Sequence, residues 1–328
     1  MKEHRDRRSG VWIGVDVGGT KTAIVLSAEP PAIQARVAFA TLPEDGPARA
    51  LDLIQKNIHH LLDQFGIEQE QVEAIGVSCG GPLDRLAGII QAPPNLMTWA
   101  NVPIKSILER EFQVCCRVEN DANAGAVAEF RFGAGQGTQH MVFLTMGTGM
   151  GAGIIVNERL YYGACDMAGE IGHVRLTPSG PTGHNKEGSV EGWASGHGMA
   201  QMAHQEITAA IDRGYSTLLA EPLRQQGRLT AKDVALAAER GDALAIRIVH
   251  DTGCRLGEAL AILVDILNPQ RIVIGGLALR LGESLLGPAR AAMKMEALSA
   301  SASLCQVVAA ALGEQIGDIA AICVAMGL

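Results

Sequence analysis

Apolar residues return along this chain in two rhythms: short β-branched runs bounded by glycine, and longer stretches with apolar positions every three or four residues. The first rhythm predicts strands and the second amphipathic helices. Val11-Trp12-Ile13-Gly14-Val15-Asp16-Val17 is an apolar run, followed by Gly18-Gly19-Thr20-Lys21 and a second run over residues 23–26. Far downstream, residues 141–146 lead into Gly147-Thr148-Gly149-Met150-Gly151 and then Ile154-Ile155-Val156. Each segment predicts strand, glycine turn, strand. Such a motif, once in each half, suggests a duplication: two similar lobes, each opening on a Gly-rich hairpin and facing the other across a cleft.

Between the hairpins, residues 51–65 have helical periodicity, 72–78 read as a buried strand and 122–130 as a helix start. That order is α/β. After the second hairpin, residues 177–200 are rich in Gly, Ser, His and Pro and are expected to form a functional loop. Thr230-Ala231-Lys232-Asp233 reads as a capped start of a helix reaching Arg240, and Gly241-Asp242 opens a long apolar helix to about Leu267, stopped by Asn268-Pro269. Arg271-Ile272-Val273-Ile274 is a short strand ending in Gly275-Gly276, and residues 316–326 form an alanine-rich closing helix.

Length and composition narrow the class. The 328 residues suit two lobes, and 48% apolar with 19% charged residues is globular composition. Net charge is −8, and the one basic run, Lys2 to Arg8, reads as a solvated leader, so no broad footprint for a nucleic acid is expected. No apolar stretch is long enough to cross a membrane and no signal-peptide core follows the charged start, so a cytoplasmic protein is expected. Seven scattered cysteines, mostly in apolar segments, suit reduced buried thiols; Cys165 lies nearest the Gly-rich chemistry.

Phosphate groups need several backbone N–H donors at close range, which glycine allows by close approach and by positive φ. Asp16-Val17-Gly18-Gly19-Thr20-Lys21 supplies two glycines, a hydroxyl, a cation and a carboxylate able to hold Mg²⁺ through water; Gly147-Thr148-Gly149 supplies a second cradle. One such turn alone reads as an ordinary hairpin, but two matching ones favour phosphate binding. The P-loop pattern GxxxxGK[ST] is absent. Gly147 to Ala152 fits a loose dinucleotide fingerprint, yet a β-branched strand follows instead of the helix whose N-terminus would hold pyrophosphate.

Val118-Glu119-Asn120-Asp121-Ala122-Asn123 sits at a strand-to-helix junction. Asp121 or Asn120 could simply be an N-cap. Transfer of a phosphoryl group to a sugar hydroxyl also needs a carboxylate to take the proton, and Asp121 is the candidate, with Asn120 on a neighbouring hydroxyl. Ala168-Gly169-Glu170-Ile171-Gly172-His173 and Gly188-Ser189-Val190-Glu191-Gly192 place acidic groups among glycines, a composition suited to gripping paired hydroxyls. Gly80-Gly81-Pro82-Leu83-Asp84 and Pro93-Pro94-Asn95-Leu96 are turns that could line the same cleft or be ordinary loops.

These segments together resemble the ROK family (repressors, open reading frames and kinases) of the actin-like ATPase superfamily, from about Trp12 to Met326. The resemblance implies an α/β, two-lobed actin-like ATPase (ribonuclease H-like) fold with the active site in the interlobe cleft. Residues 11–119 would form a small domain completed by the C-terminal helix 313–328, and 120–312 a large one. It implies phosphate turns at Gly18, Gly19, Thr20, Lys21, Thr148 and Gly149, an adenosine region at Gly275 and Gly276, and Asp121 as general base. Sugar contacts fall at Gly81, Asn95, Asn120, Glu170, His173 and Glu191. The expected activity is transfer of the γ-phosphoryl group of ATP, with Mg²⁺, to a hexose hydroxyl, glucose first, in a homodimer.

One departure stands out. Family members carry a CxCGxxGC run that binds zinc with the histidine of Glu-Ile-Gly-His, but here the run is Thr182-Gly183-His184-Asn185-Lys186-Glu187-Gly188-Ser189, and no structural zinc is expected. Other acceptors (fructose, allose, mannose, N-acetylglucosamine, N-acetylmannosamine), a polyphosphate donor, or a non-catalytic sugar-binding regulator stay open. About ten residues precede the first strand, too few for the DNA-binding domain of the family's repressors.

Overall fold

The first predicted hairpin forms as β1 (Val11–Val17) and β2 (Lys21–Ser27) in the computed structural model, which describes residues 10–212 and 216–328. The basic run Lys2 to Arg8 lies outside the described residues. With β3 (Ala35–Ala40), β4 (Val72–Cys79) and β5 (Cys116–Asn120), the hairpin builds a five-stranded sheet ordered β3-β2-β1-β4-β5. The first three strands are antiparallel, while β1, β4 and β5 run parallel.

The second hairpin repeats the plan. Strands β6 (Met141–Met146), β7 (Met150–Val156), β8 (Arg159–Leu160), β9 (Arg271–Ile274) and β10 (Gln306–Ala309) form a sheet ordered β8-β7-β6-β9-β10. Here too a three-strand meander continues into parallel partners. The chain accordingly divides into two compact units, one made of residues up to Phe132 with Glu314–Leu328, the other of Gly133–Gly313.

In the first unit, helix α1 (Pro47–Phe65) buries Ala50, Ile54, Ile58, Leu61 and Leu62, the stripe expected of a 3.6-residue period. Helices α2 (Ile104–Phe112) and α3 (Asp121–Phe132) follow, the second starting directly at the end of β5. The closing helix, Ile316–Met326, buries every residue from Asp318 to Ala325. It can lie so low on the sheet because glycines stand beneath it. A Cβ at Gly14 would come within 2.9 Å of the Ala321 Cβ, and one at Gly76 would strike the Ala325 amide nitrogen and the Ala321 carbonyl. Backbone cannot swing aside as a side chain can, so Gly76→Ala is expected to cost about 3 kcal/mol in urea unfolding. A loss below about 1 kcal/mol would mean that the helix is free to slide.

In the second unit, helix α4 (Val190–Ala194) and helix α5 (Gly196–Asp212) occupy the end of the stretch read as loop from sequence. The correction has a local cause. Gly192, Gly196 and Gly198 dilute the apolar period, yet all three are needed for close approach: a Cβ at Gly198 would strike the Gly192 carbonyl. Helix α6 (Ala231–Glu239) starts at Thr230 with a reciprocal Thr230–Asp233 capping box, and α7 (Ala243–Leu267) starts at the Asp242 cap and ends at Asn268 in the left-handed region. Gly253 and Gly257 bring α7 against the carbonyls of Leu285 and Ala289 on the helix Glu283–Glu296.

Cys79, Cys116, Cys305 and Cys323 are buried; burial pushes the Cys116 and Cys323 thiols up to about 12 and Cys305 to about 11, while Cys115 and Cys165 are exposed. Among the described residues no helix is long and apolar enough to cross a membrane.

Candidate active site

In open sheets, functional groups collect where parallel strands end, because side chains and helix starts there point out of the sheet. In the first unit, Val17, Cys79 and Asn120 stand side by side at the carboxyl ends of β1, β4 and β5. The turn Gly18–Lys21 leaves β1, the Gly80-Gly81 turn leaves β4, and Asp121 follows β5.

The first turn is braced by Thr41, the residue after β3. Gly18 N–H donates to the Lys21 carbonyl at 3.1 Å, the Thr41 hydroxyl donates to the Gly18 carbonyl at 2.7 Å, and the Thr41 N–H donates to the Thr20 carbonyl at 3.1 Å. Asn95, in the 3-10 turn Pro94–Leu96, presses on Gly19: a Cβ there would lie 2.6 Å from the Asn95 Cβ. Neither Gly18 nor Gly19 takes a positive φ, nor do Gly147 and Gly149. Of the two properties expected of these glycines, positive φ is therefore not used at any of the four. At Gly19 and Gly149 it is close approach that requires them.

Asn120 is the N-cap of α3, its Oδ1 accepting from Ala122 N–H at 2.9 Å and Asn123 N–H at 3.3 Å. Its amide nitrogen turns toward Gly81, 3.2 Å from where a Cβ would stand. Glu119 was not foreseen, although it fixes this junction: its Oε1 accepts from Asn120 N–H at 2.9 Å and from Asn123 Nδ2 at 3.0 Å. Asp121 is thus freed from the cap. Its Oδ1 accepts the adjacent Ala122 N–H at 2.8 Å, the backbone N–H of Asp121 itself also bonds the carboxylate, and its Oδ2 lies 3.8 Å from a Cβ built on Gly80. Water reaches part of Asp121, but the protein around it disfavours charge and holds its pKa above the usual carboxylate range.

Asp16 points from β1 at the first turn of the closing helix, where a Cβ on Gly317 would strike its carboxylate. Burial raises its pKa to about 6, helped by the negative charges of Asp121 and Asp318 and opposed by Lys21 and Arg36. Asp318 is buried and receives Arg36 Nε at 2.7 Å across 282 residues of sequence. Nothing local in the sequence signals that pair.

In the second unit the candidate residues surround the β6–β7 turn. Gly147 N–H donates to the Gly149 carbonyl at 3.0 Å; the Gly147 carbonyl accepts from Gly196 N–H at 2.8 Å and the Thr148 carbonyl from His197 N–H at 3.2 Å. Met150 N–H donates to Glu191 Oε2 at 3.1 Å. Glu170 precedes and His173 ends the 3-10 turn Ile171–His173, whose Gly172 lies on the Met150 carbonyl and 3.4 Å (from its would-be Cβ) from the Glu191 Cβ. Gly276, with φ of 64°, sits on the Met146 carbonyl, and Gly275 lies against the Phe143 ring. The structure therefore brings Thr148, Gly149, Glu170, His173, Glu191, Gly275 and Gly276 around one turn of this unit, as it brings Asp16, Gly18, Gly19, Thr20, Lys21, Gly81, Asn95, Asn120 and Asp121 to one sheet edge of the other.

Comparison with known proteins gives the family. A glucokinase of Halalkalibacterium halodurans is 36% identical over 314 residues, 94% of this chain and 92% of that protein. One from Thermotoga maritima is 32% identical over 310 residues, 94% of this chain and 95% of that protein. Among solved structures, a ROK family glucokinase from Streptomyces griseus in complex with glucose and AMPPNP superposes with a TM-score of 0.81 at 31% identity, covering 97% of this chain and all of that one. The mixed α/β architecture is that of the actin-like ATPase fold. The ROK family sequence model matches residues 12–327, and this chain belongs to the ROK family.

Proposed function

We propose that this protein is a sugar kinase that transfers the γ-phosphoryl group of ATP to a hydroxyl of glucose, giving glucose 6-phosphate. The observation that carries the reading is Asp121. It stands at the end of a parallel strand, relieved of the capping task by Asn120, with its carboxylate over Gly80 and its proton affinity raised. A base of raised pKa can take the hydroxyl proton as the new P–O bond forms.

The remaining roles follow from donor chemistry. The turns at Gly18, Gly19, Thr20, Lys21, Thr148 and Gly149 are assigned to the phosphates, and Gly275 and Gly276, whose backbone a ligand can approach closely, to the adenosine. Asn120 Nδ2, the Gly81 backbone, Asn95, Glu170, His173 and Glu191 are assigned to the sugar hydroxyls. In the step itself, the sugar oxygen attacks the γ-phosphorus, its proton passes to Asp121, and ADP leaves with the bridging oxygen. Asp16 is the residue to hold Mg²⁺ through water, since hard carboxylate oxygens suit that ion and the neighbouring charges of Asp121 and Asp318 leave the locality short of a cation. Magnesium would supply neutralisation of the phosphate oxygens. A cytoplasmic homodimer without a nucleic-acid partner is part of the same reading, which the net charge of −8 supports.

No structural zinc belongs to this reading. The positions of the family's cysteines hold Thr182, His184 and Ser189, which supply none of the thiolates that such a site uses.

An ADP-release assay across sugars and donors tests the function. Glucose with ATP is expected to give the highest kcat/KM, ahead of fructose, allose, mannose and the N-acetylhexosamines, and polyphosphate to replace ATP poorly. Binding of glucose without any ADP release would instead make the protein a sugar-responsive regulator.

A further inference from the structure

The stretch of chain that the family ties with zinc is ordered here by direct bonds, two of them from one side chain, Gln201. Residues Thr182–Gly183 pair with Lys186–Glu187 in a two-residue antiparallel ribbon. The outer edge of that ribbon is closed by Gln201 from α5: its Oε1 accepts the Thr182 N–H at 3.1 Å, and its Nε2 donates to the Thr182 carbonyl at 2.7 Å. A side-chain amide offers the same donor and acceptor as a peptide group, so Gln201 acts as one residue of a missing neighbouring strand. Trp193 Nε1 donates to Thr177 Oγ1 at 2.7 Å, Arg175 to the Glu187 carbonyl at 2.8 Å and Lys186 Nζ to the His173 carbonyl at 2.8 Å, fastening the remainder of the segment.

The would-be ligands are otherwise engaged. Ser189 Oγ caps α4, accepting from Gly192 N–H at 3.1 Å, and the Thr182 backbone is taken by Gln201. His173 and His184 are left as an edge-to-face pair with ring centres 6.0 Å apart, without thiolates to complete a tetrahedron.

Behind the ribbon lies Glu191. A Cβ on Gly183 would stand 2.5 Å from the Gly192 nitrogen and 2.7 Å from the Glu191 Cβ, so the ribbon rests directly on the first turn of α4. A shift of Thr182–Gly183 toward α4 would therefore press on the backbone that carries Glu191.

We propose that Gln201 is a positioning residue that replaces the family's zinc: its two hydrogen bonds hold the Thr182–Gly183 ribbon, and through it set the place of Glu191 for the sugar. This rests on the sugar-kinase reading above.

The test uses the full chain. Purified wild-type protein is expected to carry less than about 0.1 zinc per chain and to keep its glucose KM after chelation. Gln201→Leu removes both bonds at similar volume. It is expected to raise the glucose KM about tenfold with kcat held within about twofold, and to speed tryptic cleavage after Lys186. Adding Thr182→Cys, His184→Cys and Ser189→Cys to Gln201→Leu recreates three thiolates beside His173; zinc should restore the KM and a chelator should abolish the rescue. Gln201→Glu, which keeps the acceptor and loses the donor, gives an intermediate KM and serves if the leucine variant does not fold. An unchanged KM and unchanged cleavage in Gln201→Leu, or stoichiometric zinc in the wild type whose removal raises KM, overturns the proposal. Should the wild type phosphorylate no sugar, the functional reading fails, while cleavage rate and zinc content still decide the role of Gln201.

Discussion

Asp121→Asn should lower kcat by roughly two to four orders of magnitude while glucose affinity, measured by calorimetry, stays within about threefold. The asparagine keeps an oxygen to accept the Ala122 N–H, and the N-cap belongs to Asn120, so the start of α3 is preserved. What disappears is the capacity to take a proton. Because the attacking hydroxyl must shed that proton as its bond to phosphorus forms, the loss falls on the transition state and not on ground-state binding. Turnover that survives the change unaltered removes Asp121 from its assigned part.

A second large effect is expected at Asp16, where pH acts on activity and on stability in opposite directions. With a pKa lifted to about 6, the carboxylate loses its charge as pH falls through that value. Activity dependent on an ionised Asp16 should therefore fall on an acid limb near pH 6. The folded state meanwhile holds this proton more tightly than the unfolded chain does. Folding stability attributable to Asp16 is thus full below the ordinary carboxylate pKa and is lost as pH rises through about 6. Asp16→Asn should consequently be more stable than the wild type at pH 7.5, by roughly 1–2 kcal/mol given the partial access of water, with the difference vanishing toward pH 4. It should also be severely impaired as a catalyst. Denaturant titrations at several pH values and a kcat/KM profile check both halves. A profile flat to pH 4.5 would argue against the role given to Asp16.

Elements with a clean rhythm were readable without coordinates. The period of residues 51–65, the capped start at Thr230 and the Asp242-to-Asn268 helix all have their causes within a few residues of themselves. The two glycine turns were readable too, but the reason for their glycines was not: Gly19 makes way for Asn95 and Gly149 for Glu191, neighbours that only the fold supplies. For the same reason residues 190–200 read as loop. Their glycines allow helices to cross, whereas a glycine in isolation argues for a turn. Most hidden were the supporting residues. Glu119 stands in the sequence as one residue of a junction, Gln201 carries no local signal, and the Arg36–Asp318 pair joins residues 282 positions apart. Chemistry-bearing side chains occur in recognisable runs; the groups that orient them are chosen by distance in space.

The order in which the chain is synthesised adds a final consequence. Strands β1 and β4, with Gly14 and Gly76 bared for the helix that will cover them, leave the ribosome before the whole of Gly133–Gly313, and the covering helix comes only afterwards. Until then the nascent first sheet presents an apolar face to the cytosol or to a chaperone, while the continuous second unit has all its strands in hand. Completion of the earlier half must wait for the later half to be translated, so truncated products should be the aggregation-prone species of this protein.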